Sequence, residues 1–383
     1  MKRFNGNRLQ FARQYNGLSS DDLAKLIKVS SQAISQYETG KTIPQFDKLI
    51  FLSEVLHFPS NFFLQDSNIQ IESGSSYFRS LMKTPKKYRV QQKVKIELLA
   101  EIYSVLSDYI EFPELVLPAT QNIGDTETVA ETVRAFWKIG NKPITNLLRF
   151  LEERGIIVTS FPTPTTDIDA FSQYFAINKK SLYIIAFSEN KQTAARINFD
   201  LAHELGHIML HSWSDDIETY SREEFKNHEK QANAFASAFL LPKDEFINDL
   251  RYYNTDLNHY TELKKKWHVS ISAMLYRACN LNLITQYQYQ YLMRTMNAKN
   301  MRISEPLDRI LEVPTPHLLR DAVEMLITND VFSRSELLSE LSSKGLSLEP
   351  TEIENLLALP NGTLDISKDK KQDDTPIILK FRE

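Results

Sequence analysis

Two histidines four residues apart, set inside an apolar helix, constrain this chain more tightly than any other feature. The stretch "AHELGHIMLH" (202–211) holds three of the eight histidines in the chain. Ile197, Leu201, Leu205 and Ile208 recur at helical spacing, which predicts a helix over about 190–211 with one face buried. A helix turns by about 100° per residue, so His203 and His207 share a second face, one turn apart. A fold containing this helix must cover its apolar side and give the two imidazoles a partner. The pair is either a satisfied histidine couple or half of a metal site.

The metal reading has a definite chemistry. Zinc takes neutral imidazole nitrogens, and a catalytic site commonly uses three protein ligands and leaves one position for water. Glu204 borders the same face, where it can hold that water, take its proton and pass it to a leaving amine. A third ligand must come from elsewhere. The segment "NHEKQANAFASAFLLP" predicts a helix stopped by Pro242, with Ala232, Phe235 and Phe239 on its apolar side. It offers Glu229, and Asn233 one turn later. Glu229 completes two histidines and a carboxylate; the competing reading is a solvated helix charge. Asn233 faces the same way and can hydrogen-bond the free ring nitrogen of a ligand histidine. His211 lies two turns beyond His203, about 12 Å along a straight helix, too far for the same ion. It is read as packing or as a group behind the ligands. His228 is either exposed or a donor on the substrate side, and Arg196 is either a substrate contact or a surface ion pair.

The remaining chain organises around this pair of helices. At about 100–200 residues per domain, 383 residues suggest two to four domains. "QDSNIQIESGSS" (65–76) is small and polar and reads as a linker. A long helix follows, from about Lys86 to Ile110. Residues 75–100 carry seven basic residues against one acid; these either contact phosphate or form the solvated side of that helix, the second being favoured. "IIVTSF" and the two runs either side of Asn178–Ser181 have strand density in Ile, Tyr and Phe. Where a substrate peptide lies along a sheet edge beside a metal, "SLYIIAF" could be that edge, pairing its backbone with the peptide; a central strand is the equal alternative. The segment from 243 to about 295 is helical, short helices alternate with Pro and Gly over 300–360, and "IILKF" near the end could add an edge strand.

Composition removes several classes. Hydrophobic content is 42% and charged content 25%, ordinary for a globular protein. Cys279, the one cysteine, can form neither an internal disulfide nor a cysteine zinc cluster, which fits a reducing, cytoplasmic setting. The N-terminus lacks the apolar core of a signal peptide, and no run of about 18 uncharged apolar residues predicts a membrane span. Net charge is −4, so any nucleic-acid surface must be local.

One local surface presents itself. Residues 18–41, "LSSDDLAKLIKVSSQAISQYETGK", have a helix-turn-helix rhythm, with Ala24 where two helices cross, Val29 in the turn and Ile34 inside the second helix. The start of that helix displays Ser31, Gln32, Ser35 and Gln36, side chains suited to base edges in a major groove. Residues 1–66 hold eight basic and six acidic residues, a weak excess, so a homodimer that doubles the phosphate contacts is expected to bind better than a monomer. The competing reading is a small helical protein-interaction domain.

Two resemblances sharpen these readings. "RINFDLAHELGHIMLH" followed by "HEKQANAFASAFLLP" resembles the ImmA/IrrE family of metallopeptidases, and "FWKIGNKPITNLLRFLEERGIIV", "DIDAFSQYF" and "LYIIAFSENKQTAARINF" extend the likeness over about residues 75–285. The resemblance implies that His203, His207 and Glu229 bind Zn2+ and that Glu204 is the catalytic base. The chain departs from that family's usual pattern at Gln231, often an acid, and at Asp200, commonly a hydroxyl residue. Residues 5–66 resemble the Xre/Cro-like repressor domain, which implies Ser31 and Gln32 at bases and Lys41 and Thr42 near phosphate.

The expected architecture is mainly α with a small β-sheet (α+β). It comprises a Cro/repressor-like DNA-binding domain (1–66), a linker helix region (67–120), a zincin-like metallopeptidase domain (121–298) and a helical C-terminal domain without a chemical motif (299–383). The expected function is a cytoplasmic regulator that binds double-stranded DNA and cleaves a repressor-like protein, controlling mobile-element or stress genes. The alternative is a transcription factor whose peptidase-like domain senses a ligand or metal without cutting. An antitoxin-like binding module would have no need of an intact HELGH pattern.

Overall fold

The computed structural model describes residues 4–66, 69, 71–78, 85–120, 124–163, 169–177, 179–190, 193–213 and 219–369. At the N-terminus, α1 (Gly6–Tyr15), α2 (Ser20–Ile27), α3 (Ser31–Glu38) and α4 (Phe46–Leu56) precede a 3-10 turn at Ser60–Leu64. Local chemistry sets the boundaries. Asn5, Ser19 and Ser30 accept backbone N–H groups at the starts of α1, α2 and α3, and Asp22 completes a capping box with Ser19. Lys28 takes a left-handed conformation (φ 56°) between α2 and α3, the turn that separates the two helices. Arg13 clamps Glu38 through two bonds of 2.6 and 3.0 Å, tying α1 to the end of α3.

A four-stranded sheet lies at the centre. Its strands are β1 (Ile71–Phe78), β2 (Ile156–Phe161), β3 (Ala170–Ile177) and β4 (Lys180–Ser188), in the order β1-β3-β4-β2. β1–β3 and β3–β4 are antiparallel; β2–β4 is parallel. One sequence expectation is corrected and one open choice is decided. The polar segment expected to be a linker at 65–76 contributes β1, which runs along β3 with an irregularity between Ser73 and Ser76. Of the two readings of "SLYIIAF", the central strand holds: β4 is flanked by β3 and β2. Asn178 lies outside the described residues, as do Arg79 and Lys83 of the basic stretch and the "IILKF" segment.

The expected long helix is α5 (Lys86–Leu106), followed by α6 (Thr126–Phe136) and α7 (Leu147–Glu152). The histidine helix is α8 (Ala194–Leu210), and its expected partner is α9 (Arg222–Leu240). Then come α10 (Lys243–Leu250), α11 (Leu257–Trp267), α12 (Ile271–Asn280) and α13 (Gln286–Ala298). The C-terminal helices are α14 (Leu318–Thr328), α15 (Arg334–Ser343) and α16 (Pro350–Leu356). The architecture is mainly helical with one small sheet, an α+β arrangement. Among the described residues no helix is long and apolar enough to cross a membrane.

Both faces of β2, β3 and β4 are buried over most of their length, which explains why "IIVTSF" and "LYIIAF" read as near-continuous apolar runs rather than alternating ones. Successive side chains point to opposite faces. Ile157, Phe175, Leu182 and Ile184 enter one core, shared with α1–α5 and with Leu319, Val323, Leu341 and Ile353 of the C-terminal helices. Ile156, Val158, Ile185 and Phe187 enter the other, with Ile197, Leu201 and Leu205 of α8 and the helices from α6 to α13. Polar bonds stitch the first core together. Arg8 donates to the Gly345 carbonyl at 3.2 Å, Tyr15 to Glu352 at 2.7 Å, and Thr159 of β2 to the Leu356 carbonyl at 3.3 Å. The N-terminal helices therefore lie behind the sheet, and the histidine helix in front of it.

Candidate metal centre and nucleic-acid surface

α8 is fixed at its start and along its length. Thr193 caps it. Asn198, fully buried, accepts from the Leu147 amide at 3.3 Å and donates to the Thr145 and His268 carbonyls at 3.4 and 3.3 Å. α9 starts with a capping box between Ser221 and Glu224. The two helices approach closely at Gly206, where a Cβ would stand 3.1 Å from both Cα and the carbonyl oxygen of Ala232. That approach carries Glu229 to the histidines.

His203 and His207 are buried, with their Nε2 atoms 3.1 Å apart. The Glu229 carboxylate faces both, one oxygen 3.5 Å from His203 Nε2 and the other 3.3 Å from His207 Nε2. The hydrogen bonds behind the rings decide which nitrogens carry protons. Asn233 donates to the Glu229 carbonyl at 2.7 Å, which turns its Oδ1 to His203 Nδ1 at 3.2 Å. His203 Nδ1 therefore carries the proton, and its Nε2 presents a lone pair. Behind His207 stands His211. The chain leaves the helix at this residue (φ −117°, ψ 153°), and its Nδ1 sits 2.8 Å from His207 Nδ1. Its Nε2 meets Gln231 Oε1, an acceptor, at 3.0 Å. Burial, reinforced by the neighbouring His207, holds the His211 imidazole down at about 3, so it is neutral. A neutral ring donating to Gln231 must accept at Nδ1, so His207 also donates from Nδ1 and offers a bare Nε2.

Two lone pairs and a carboxylate then converge with no proton between them. Such a donor set is repulsive unless a cation sits in it. Zinc–nitrogen bonds of about 2.0–2.1 Å place neighbouring corners of a tetrahedron roughly 3.3–3.4 Å apart. The observed separations of 3.1, 3.3 and 3.5 Å bracket that spacing. The residues fit a tetrahedral divalent metal, and the donor set of two imidazoles and one carboxylate suits zinc.

Glu204 is fully buried next to this cluster, and Ser172 of β3 donates to its Oε2 at 2.5 Å. Ser172 escaped sequence reasoning because a serine within a strand has no spacing signal. Its face follows only from the period-two pattern once α8 is known to cover that side. Asp200 is buried with Arg196 Nε 3.6 Å away, and Arg196 also donates to Asp169 at 2.7 Å. His228 stacks on His211 with ring centroids 4.2 Å apart and meets the Tyr220 ring edge-on at 5.0 Å. It supports His211 rather than facing the metal cluster.

At the other end of the molecule, Ile34 is buried and turns the opposite side of α3 outward. Gln32 and Ser35 are exposed, Ser31 and Gln36 half-buried, and Lys41 and Thr42 exposed just beyond the helix. The Ser31 hydroxyl donates to Asp21, which leaves its oxygen as the atom free to accept. Lys25 and Lys28 are exposed on the preceding helix and turn. Of the basic stretch, Lys86 and Lys87 are exposed, while Lys93 and Lys95 are half-buried against the first core.

Comparison with protein families agrees with both ends. Residues 9–63 match the helix-turn-helix family model, and residues 151–278 match the IrrE N-terminal-like domain of the peptidase M78 family. The second match contains His203, Glu204, His207 and Glu229. No curated protein matches the chain. The chain thus joins an Xre-type helix-turn-helix DNA-binding domain to an IrrE N-terminal-like domain of metallopeptidase type.

Proposed function

We propose that this union of a DNA-binding domain and a peptidase-family domain is a cytoplasmic regulator that cleaves a repressor-like protein as a zinc endopeptidase. The observation that carries the reading is the convergence of His203, His207 and Glu229 beside the buried carboxylate of Glu204. His203 and His207 would hold zinc through Nε2, and Glu229 through its carboxylate, with Asn233 and His211 fixing the tautomers. When bound, zinc supplies Lewis-acid polarisation of the scissile carbonyl and lowers the pKa of water. Glu204 takes one proton from the attacking water and delivers it to the departing amine as the C–N bond breaks. Ser172 donates to one Glu204 oxygen and so orients the carboxylate for that proton transfer. The boundaries at 66/67, 120/121 and 298/299 divide the sequence and not the cores, since residues 1–66 and the C-terminal helices share one core; Ser31, Gln32, Ser35 and Gln36 would read bases, with Lys41 and Thr42 approaching phosphate. A homodimer on two half-sites follows from the modest charge of residues 1–66.

A second reading, metal sensing without cleavage, draws support from the sheet that both cores share. Glu204→Gln separates the two. Under the peptidase reading this variant keeps its zinc, measured by elemental analysis, and loses both substrate cleavage and regulation. Regulation that survives in Glu204→Gln favours the sensor. His203→Ala should lose zinc under either reading, and wild-type protein that retains no zinc would remove both.

A further inference from the structure

A cavity of about 890 Å3 opens beside the metal cluster, walled by α8, α9, α12, α13 and the 302–308 segment. Glu229 and Asn233 belong to both the cluster and the cavity wall. Its volume is that of a ligand site, and its charges are unevenly satisfied. The acids on the wall are engaged within the fold. Asp200 lies by Arg196. Glu305 and Asp308 grip the fully buried Lys264 at 2.8 and 2.6 Å, and Glu305 also accepts from the Ile271 and Ser272 amides at the start of α12. This anchorage fixes the 302–308 wall. The cations behave differently. Lys226, Lys230 and Arg302 are exposed on the wall and make no ion pair among the described residues. Tyr276, Tyr289 and Met293 supply an apolar floor between them.

Resting on the peptidase reading, we infer that this cavity is a substrate subsite for an acidic stretch of polypeptide carrying an aromatic or aliphatic side chain. Three cations that make no ion pair among the described residues raise the local concentration of negative charge at a concave, partly apolar surface. Aspartate or glutamate flanking the scissile bond meets Lys226, Lys230 and Arg302, while a neighbouring apolar side chain lies on the tyrosines. Electrostatic complementarity of this kind sets specificity and association rate more than affinity.

The test uses the full-length, zinc-loaded Glu204→Gln chain and fluorescence anisotropy. The probe is a fluorescein-labelled copolymer of glutamate and tyrosine; the control is the lysine–tyrosine copolymer. The acidic probe should bind about tenfold tighter or more, with a preference that weakens as salt rises. Lys226→Glu combined with Arg302→Glu should abolish that preference, and the milder Lys226→Gln should reduce it. Equal binding of the two copolymers, or a preference that survives the double reversal, would overturn the inference. So would a short single-stranded oligonucleotide that displaces the acidic probe from the parent chain but not from the reversed one, since that assigns the patch to nucleic acid. Acidic-probe binding without cleavage by the native Glu204 chain sinks the peptidase reading and leaves the subsite. Cleavage indifferent to flanking charge does the converse.

Discussion

The side chains that orient the donors carry as much information as the donors. His207 offers a bare nitrogen because His211 accepts from its other nitrogen, and His211 can accept at Nδ1 because its own N–H, at Nε2, is donated to Gln231. The sequence places His211 too far along a straight helix to join the ion and leaves it as packing or as a group behind the ligands. It misses that the helix stops at Leu210 and the extended residue folds back. Helix termination depends on what packs beyond it, which local spacing does not encode. A testable consequence follows at this scale. His211→Ala should weaken zinc binding by about 10–100-fold while leaving all three donor atoms in place, read by competition with a chromophoric chelator. Unchanged affinity would show that His207 needs no support from behind.

Among the elements, the helices were the most legible, because their apolar positions repeat every third or fourth residue and their ends carry capping side chains. α8, α9 and the pair α2–α3 follow from such patterns. The sheet was legible only in part. "IESGSSYF" has little strand propensity of its own, and β1 exists because β3 has an open edge for it to pair with. Missing β1 also left the placement of β4 undecided, since strand order is a property of all four strands together. The meeting of Glu229 with the histidines was readable as a face of α9; the distance was not. That distance depends on Gly206, which lets α9 rest on α8. Gly206→Ala must push the Ala232 backbone back by a few tenths of an ångström, costing about 1–3 kcal/mol as overpacking. Its expected signature is a lower melting temperature together with weaker zinc binding. A melting loss with zinc affinity intact would mean that the strain dissipates away from Glu229.

At the scale of the whole molecule, the C-terminal helices are structural members. Leu319, Val323, Leu341 and Ile353 share the core of α1–α5 and the rear sheet face. Arg8, Tyr15 and Asn61 bond to residues between 345 and 352. The sequence from 318 to 357 offered no chemical motif, and what its helices contribute to the described structure is buried apolar surface. A chain ending before α14 should expose that apolar surface, bind a hydrophobic dye and aggregate. A truncated chain that stayed monomeric and bound DNA as the full chain does would contradict the shared core.

The sheet has its own consequence. It is one wall of two rooms, with the helix-turn-helix end behind it and the donor cluster before it. If operator DNA and zinc each prefer one packing of that wall, they form a thermodynamic cycle with a single closing term. The factor by which zinc shifts the operator dissociation constant must equal the factor by which operator shifts that of zinc. Two independent titrations therefore have to return the same number, and a number of one would mean that the wall transmits nothing.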